Sequence, residues 1–183
     1  MQTWDYGWAG YYFVTVCTEG RGCYFGEVID KQVQRSAIGK LVDKKWNKTP
    51  MVRPDINQHM GPFVMMPNHL YGIIRIIMYN QGASGVGDFE TVTVRGTTHH
   101  APTNHNPPSY NRFGPQSKNP GSIMRGFKSA ATVQARELAP DLGWQSLYYD
   151  RMVRNQIAYQ RISSYISNNP ACWDNDNFNP EFI

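Results

Sequence analysis

The sequence has little cysteine, no long hydrophobic run and no large excess of charge of either sign. Its three cysteines, Cys17, Cys23 and Cys172, are odd in number and form no Cys-x-x-Cys pair, which argues against a disulfide framework or a zinc cluster. No segment approaches the roughly 20 consecutive apolar residues that span a bilayer, and the first residues carry no secretory signal pattern. We therefore expect a cytoplasmic protein that does not contact a membrane.

The composition is that of an ordinary globular protein with a mild excess of positive charge. The 183 residues are 40% hydrophobic and 13% aromatic, with a formal net charge of +4. This length and composition predict one domain over residues 1–183, with a flexible insertion at about residues 80–121 where Gly, Pro, Asn and Ser accumulate. Within the insertion, residues 91–94 have strand character. The positive charge favours a polyanionic partner without demonstrating one.

Strand and helix patterns alternate on both sides of this insertion. Segments rich in β-branched and aromatic residues predict strands over residues 11–18, 23–28, 61–66, 69–79 and 147–154. Apolar residues at helical spacing predict helices over 32–47, stopped at Thr49-Pro50, over 123–139, capped by Ser122, and over 156–168, capped by Asn155. We expect the first two strands to form a hairpin and the strand over 69–79 to be central. The result is an α+β fold, a mostly antiparallel sheet with helices packed on one face.

The strand after the Pro67-Asn68 turn contains a pattern typical of a metal site, with one ligand changed. A strand places residues i and i+2 on the same face, so His69 and Tyr71 point in the same direction. Two histidines at these positions would form a two-imidazole metal clamp. A tyrosine occupies the second position.

The last predicted helix places a second group of polar side chains on one face. Arg161, Tyr165 and Asn169 follow each other at a spacing of four residues. A tyrosine and a carboxamide one turn apart can face the same point in space. Taken alone, a helical tyrosine is more typical of core packing.

Several separated motifs, in the same order, are similar to those of the REP-associated tyrosine transposase-like proteins, a branch of the single-tyrosine HUH transposases. The resemblance spans nearly the whole chain, and the MPNH segment by itself would be only suggestive. The motifs are Trp4-Asp-Tyr6, residues 12–18, Tyr24-Phe-Gly26, residues 64–74, Trp144-Gln145, residues 148–150, residues 153–155 and residues 159–173.

The resemblance implies a ferredoxin-like HUH palm, a homodimer and a role in DNA transposition and recombination. It implies that Tyr165 attacks a phosphodiester of single-stranded DNA next to a hairpin, which leaves a 5′-phosphotyrosine and a free 3′-hydroxyl. It also implies a divalent cation, Mg²⁺ or Mn²⁺, held by His69, by the residue at position 71 and by Asn169. Such an ion polarises the scissile phosphate and stabilises the charge that develops on it.

Tyr71 departs from the family pattern at a metal ligand. A phenol must lose its proton to bind a metal well, at a cost of about 1.4 kcal/mol for each unit between its pKa and the pH. Three interpretations stay open: an active enzyme with Tyr71 swung aside and water completing the ion's shell, a catalytically impaired descendant that lost the metal and still binds hairpin or single-stranded DNA, or a different role on the same fold. The insertion histidines His99, His100 and His105 would supply a missing imidazole, although exposed loop histidines without a ligand role are the simpler interpretation.

Basic and aromatic residues supply candidate DNA contacts. Arg125, Lys128, Arg151 and Arg154 are predicted to neutralise phosphates around the site, although each taken singly fits an ordinary charged surface. Tyr6, Trp8 and Tyr148 are candidates for stacking on unpaired bases and fit core packing equally well.

Overall fold

The computed structural model describes residues 9–53, 58–77 and 119–180, and these contain one main sheet, a small hairpin and three α-helices. The strands are β1 Gly10–Cys17, β2 Gly26–Ile29, β3 Gln32–Arg35, β4 Gln58–Met65, β5 His69–Ile76 and β6 Tyr149–Val153. The helices are α1 Ala37–Val52, α2 Pro120–Ala135 and α3 Gln156–Asn168, and the 3₁₀-helical segment Asn169–Asn175 continues directly from α3. No helix in these three ranges is long and apolar enough to cross a membrane.

The main sheet has the ferredoxin-like arrangement. Its strand order is β4-β5-β1-β6, and every neighbouring pair is antiparallel. Along the chain, β1, α1, β4, β5, α2 and β6 follow one another, so each helix connects two strands that are not neighbours. The predicted α+β class with a mostly antiparallel sheet is confirmed, and β5 is a central strand as expected.

Both faces of the sheet are covered by helices. The main core lies between the sheet and the α1–α2 layer, where Val42 and Trp46 of α1 and Phe127 of α2 meet residues of β1 and β5. A smaller cluster on the other face joins Tyr71 and Ile73 of β5 to Ile166 of α3. The expectation that helices share one face holds for α1 and α2, whereas α3 packs on the opposite face. The strand β5 is buried on both faces because helices cover both, although the face under α3 carries His69 and Tyr71.

The segment between β1 and α1 differs from its prediction. β2 pairs with β3 rather than with β1, and the two-residue turn between them contains Asp30 and Lys31 at φ 49° and 62°. Positive φ at both central residues is the geometry of a tight hairpin turn. Helix α1 therefore begins later than predicted, at the Ser36 cap, whose side chain accepts from the Gly39 N–H at 3.0 Å. It also continues through Pro50 to Val52.

The elements after residue 118 follow the predictions with shifted ends. Helix α2 is capped by Asn119 rather than Ser122, and Ser122 is the third residue of a capping box with it. The helix therefore takes up the last residues of the predicted insertion, and it ends at Ala135, four residues early. Asn155 caps α3 as predicted, accepting from the Ala158 N–H at 2.8 Å. The rest of the predicted insertion, with the strand-like residues 91–94, lies outside the described residues.

Candidate active site

The candidate site lies on the sheet face that α3 covers. His69 and Tyr71 point to this face from β5, as their spacing predicted. Tyr165 reaches the same place from α3, and the 3₁₀-helical segment after α3 closes over it. The structure therefore brings together side chains that lie about 95 residues apart in sequence.

His69 is fully buried, and its tautomer follows from its neighbour. Its Nδ1 lies 2.9 Å from Asn68 Oδ1. The amide nitrogen of Asn68 donates to the Arg21 carbonyl at 3.1 Å and to the Phe178 carbonyl at 2.7 Å, which identifies Oδ1 as the atom that faces His69. Because Oδ1 only accepts, Nδ1 carries the proton and Nε2 carries the free lone pair.

The Nε2 atom of His69 is buried and has no hydrogen-bond partner among the described residues. Burial lowers the pKa of His69 to about 4, against an opposing effect of the Asp176 charge. The imidazole is therefore neutral at pH 7 and keeps its lone pair available. A neutral imidazole oriented by a carboxamide is the form in which histidine binds metal ions.

Tyr71 is a buried neutral phenol packed among other rings. Its ring centroid lies 4.5 Å from that of His69 and 5.6 Å from that of Phe13, on which it stacks. Burial, with a hydrogen bond to the Tyr165 side chain, raises the pKa of Tyr71 far above its usual range. Tyr71 therefore keeps its proton at pH 7 and does not offer an anionic oxygen to a cation.

Tyr165 combines contact with this cluster and access to solvent. Its ring lies 5.2 Å from that of Tyr71 and 6.4 Å from that of Phe13, while the residue is 48% exposed. The exposed part of Tyr165 is open to contact by an incoming molecule, while its ring edge meets the buried Tyr71 ring.

Asn169 lies directly after α3, in the segment that encloses His69. Its Nδ2 is 3.3 Å from Asp176 Oδ2, and its buried Oδ1 has no hydrogen-bond partner in the described ranges. The ring of Trp173, in this segment, lies 6.1 Å from the imidazole of His69, and the ring of Phe178, just beyond the segment, lies 4.7 Å from it. Sequence reasoning missed Asn68, Asp176 and Phe178, since neither helical nor strand spacing links them to the site.

The residues present fit a divalent cation through a mixed donor set. His69 Nε2 and Asn169 Oδ1 are buried lone-pair donors without partners in the described part of the chain, which is unusual for polar atoms. No group of three His, Cys, Asp or Glu side chains with the arrangement of a metal site occurs within these ranges. A cation would therefore be held by the imidazole and the carboxamide together with further oxygen ligands.

A basic groove lies between β6 and the first two turns of α3. It has a volume of about 540 Å³, and its lining includes Arg151, Arg154 and Arg161. Arg161 lies one helical turn before Tyr165, so the groove ends near the Tyr165 side chain. Two of the four predicted DNA contacts, Arg151 and Arg154, are in this groove, and Arg161 adds a third cation.

The other two predicted contacts lie on α2, on the opposite face of the sheet from α3. Arg125 is exposed there. The Lys128 ammonium donates to the Gln145 and Leu147 carbonyls at 2.7 and 3.2 Å, and burial lowers its pKa. Neither residue therefore lies beside Tyr165. Lys128 instead binds backbone carbonyls of the segment that precedes β6.

Of the three predicted aromatic contacts, Tyr148 lies within the described residues. Tyr148 packs against the main core. Its neighbour Tyr149 is 57% exposed. Tyr149 of β6 lies opposite Thr15 of β1, and Thr15 lies opposite Tyr71 of β5, so Tyr149 and Tyr71 point to the same face of the sheet, the one that α3 covers. The other predicted stacking residues and the insertion histidines lie outside the described residues: Tyr6, Trp8, His99, His100 and His105.

Comparisons with known proteins show a related sequence and a similar solved structure. No protein-family model matches the chain. An uncharacterized protein of Haemophilus influenzae is 33% identical over 180 residues, which cover 96% of this chain and 88% of that protein. The structure of a REP-associated tyrosine transposase bound to a REP hairpin is similar with a TM-score of 0.51 and 16% identity, over 93% of this chain and 73% of that chain. At this identity, the similarity shows a shared fold.

Proposed function

We propose, from the premise that this chain belongs to the same family as the Haemophilus influenzae protein, that it binds single-stranded DNA next to a hairpin and cleaves and rejoins one strand. The observation that carries this proposal is the position of Tyr165. Its half-exposed phenol lies between a buried cluster of metal-binding character and a groove with three arginines. The transposase of the same fold, solved with a REP hairpin, supports DNA as the partner.

The proposed chemistry is attack by the Tyr165 oxygen on a phosphodiester. The phenol loses its proton as its oxygen bonds to phosphorus, and the bond from phosphorus to the 3′-oxygen breaks. The leaving oxygen takes up a proton and becomes a 3′-hydroxyl, while the 5′ side stays attached as a phosphotyrosine. Attack by a second 3′-hydroxyl reverses the step and joins two strands. Tyr71 orients the nucleophile through the hydrogen bond between the two phenols.

A divalent cation held by His69 and Asn169 would supply charge stabilisation at the scissile phosphate. The residues of the chain do the remaining work. The Asn68 amide fixes the His69 ring, and Trp173 and Phe178 shield it from water. In such a shielded place, fixed dipoles stabilise developing charge more strongly than in water.

The groove between β6 and α3 is the proposed path of the DNA strand. Arg151, Arg154 and Arg161 would neutralise successive phosphates, and exposed Tyr149 offers a stacking face for an unpaired base. Because Arg161 lies one turn before Tyr165, a strand in this groove reaches the nucleophile.

A binding titration tests the DNA-binding part of this proposal. Fluorescence anisotropy with a hairpin-bearing oligonucleotide in EDTA should give a complex that Arg151→Ala/Arg161→Ala weakens at least tenfold. Removal of two phosphate contacts should also reduce the slope of log affinity against log salt by about 1.4. Lys44→Ala/Lys48→Ala removes the same charge from exposed positions on α1 and serves as the control. Equal affinity of the two double variants would exclude the groove.

A second candidate function is DNA binding without cleavage. The buried Tyr71 ring favours it, since it lies 4.5 Å from His69 where a ligand of the ion is expected and offers no anionic oxygen. Cleavage of the oligonucleotide with Mn²⁺, followed on a denaturing gel, separates the two candidates. Cleavage by wild type and none by Tyr165→Phe supports the enzyme. Cleavage by Tyr71→His alone supports the impaired descendant.

A further inference from the structure

Asp176 brings a negative charge to the buried side of the site. It follows the 3₁₀-helical segment Asn169–Asn175, and its Oδ2 lies 3.3 Å from Asn169 Nδ2. Its Oδ1 accepts from the Phe178 N–H at 2.8 Å, which fixes the carboxylate in place. Phe178 also packs on the imidazole of His69, with ring centroids 4.7 Å apart. Asp176 therefore contacts one candidate metal ligand, Asn169, and holds the residue whose ring packs on the other, His69.

Two donor atoms in this corner are buried and lack partners in the described part of the chain. They are Nε2 of His69, which is fully buried, and Oδ1 of Asn169, which is 2% exposed. The opposite ring nitrogen of His69 is occupied by Asn68, so Nε2 points away from that turn. Four other buried polar atoms of the described residues also lack partners, and these two differ from them in belonging to residues around the Asp176 carboxylate. A bound cation would satisfy both donors.

We infer that Asp176 completes a divalent-cation site with His69 and Asn169, in place of the imidazole that Tyr71 removes. The inference rests on the proposed function, because the ion acts on a phosphate at Tyr165. A carboxylate has about four lone-pair positions, so the two hydrogen bonds of Asp176 leave it able to bind an ion. It also supplies the negative charge that a neutral phenol at position 71 does not.

The donor set selects the kind of cation. One imidazole nitrogen, one amide oxygen and one carboxylate suit Mn²⁺, which accepts nitrogen and prefers oxygen. The three proposed ligands include no sulfur atom. A competing explanation is that a buried water molecule satisfies both atoms and that Asp176 only fixes the backbone at Phe178.

Binding of Mn²⁺ alone to the full chain distinguishes these explanations. Free Mn²⁺ is followed by its electron paramagnetic resonance signal, which bound ions lose. Wild type should bind one ion, and Asp176→Asn should bind it at least about tenfold more weakly, since loss of a ligand's supporting partner already costs that much. Asp174→Asn, an exposed carboxylate in the same segment, should bind within about twofold of wild type. Equal binding by Asp176→Asn, or no binding by wild type at millimolar Mn²⁺, overturns the inference.

Two further measurements separate a loss of metal binding from a loss of folding or of DNA binding. Asp176→Asn retains the oxygen that accepts from Phe178, and its melting temperature in EDTA reports folding apart from metal binding. If it unfolds, Asp176→Glu keeps the charge and should stay within about tenfold of wild type in Mn²⁺ affinity, whereas loss of binding there counts against the site. Hairpin binding in EDTA should be the same for wild type and Asp176→Asn. Absence of hairpin binding sinks the proposed function, while persistent hairpin binding with unchanged Mn²⁺ affinity sinks only this inference.

Discussion

The properties of the site depend most on the residue at position 71. Its phenol fills the space next to His69, stays protonated and holds Tyr165 through a hydrogen bond. A histidine there would offer a second lone pair to a cation, while a phenylalanine would offer none. Phenylalanine keeps the ring and removes only the hydroxyl, whereas the smaller histidine also leaves space next to His69.

Tyr71→His should therefore raise the affinity for Mn²⁺ by about tenfold or more, because it adds an imidazole ligand beside His69. Tyr71→Phe is the matched control and should leave the affinity within about twofold of wild type. The same resonance titration measures both. A Tyr71→His protein that binds Mn²⁺ no better than Tyr71→Phe would show that this position does not face the ion.

A second residue gives a pH dependence of stability. Burial raises the pKa of the Cys17 thiol from 9.0 to about 11. In the unfolded chain the thiol ionises near pH 9, whereas in the folded chain it stays protonated. The free energy of unfolding should therefore fall as the pH rises from 9 to 11, by at most about 3 kcal/mol from this group.

Urea unfolding between pH 8 and 11 measures this effect as a difference between variants. Cys17→Ala removes the titration and should lose less stability than wild type over this range. Cys23→Ala replaces an exposed thiol and should follow the wild-type curve. Parallel curves for Cys17→Ala and wild type would contradict a raised pKa.

Residue spacing predicted part of the site and could not predict the rest. The strand period placed His69 and Tyr71 on one face, and the family motif pointed to Tyr165 and Asn169. Asn68 acts through hydrogen bonds to carbonyls of distant residues, such as Phe178, and Asp176 acts through bonds to Asn169 and the Phe178 N–H in an irregular segment. Contacts of this kind follow from the folded chain path and leave no periodic signal in the sequence.

At the scale of elements, the position of α1 depends on its close approach to the backbone directly before β2. Gly39 lies against the Phe25 backbone, and an added Cβ would overlap the Phe25 carbonyl oxygen. Gly126 on α2 has nothing within 4 Å of such a Cβ. The two glycines therefore differ in what an alanine would cost.

Gly39→Ala should destabilise the protein by at least about 2 kcal/mol, because backbone atoms must move apart. Gly126→Ala should stabilise it by about 0.5–1 kcal/mol, through the better helix propensity of alanine. The midpoint of urea unfolding at constant slope measures both changes. A neutral Gly39→Ala would contradict the packing of α1 on Phe25.

Element ends were harder to predict than elements. Strand β3 has one apolar residue, Val33, which is too few to show a strand period, so nothing separates it from the helical pattern that follows. The hairpin turn at Asp30-Lys31 has no glycine to mark it. At α3, the Asn155 cap and the following apolar row agree, and the prediction matched the observed ends.

At the scale of the whole molecule, the order of elements determined the sheet. Two strand-helix-strand units with connecting helices produce the ferredoxin-like order once the hairpin of β4 and β5 is recognised. The side on which α3 packs did not follow from the sequence, because β5 carries hydrophobic residues on both faces, such as Ile73 and Ile74. A strand of this kind predicts burial on both sides without indicating which helix lies on which.

The family resemblance predicts a homodimer, and this stays a prediction. Light scattering coupled to size exclusion should give twice the mass of the chain at micromolar concentration. Among the described strands, β4 and β6 lie at the edges of the main sheet, and β6 also borders the basic groove. A monomer at concentrations that saturate hairpin DNA would contradict the prediction.

The central claim is that Tyr165 forms a covalent link to DNA, and the intact mass of the protein after reaction tests it most directly. Wild type is incubated with a hairpin-bearing oligonucleotide and Mn²⁺, and the adduct is mapped by peptide mass spectrometry. We expect the wild-type mass to increase by the mass of the 5′-phosphorylated fragment, with the adduct located on Tyr165 and absent from Tyr165→Phe. An adduct that persists in Tyr165→Phe, or no adduct in wild type under conditions where the hairpin is fully bound, would contradict it.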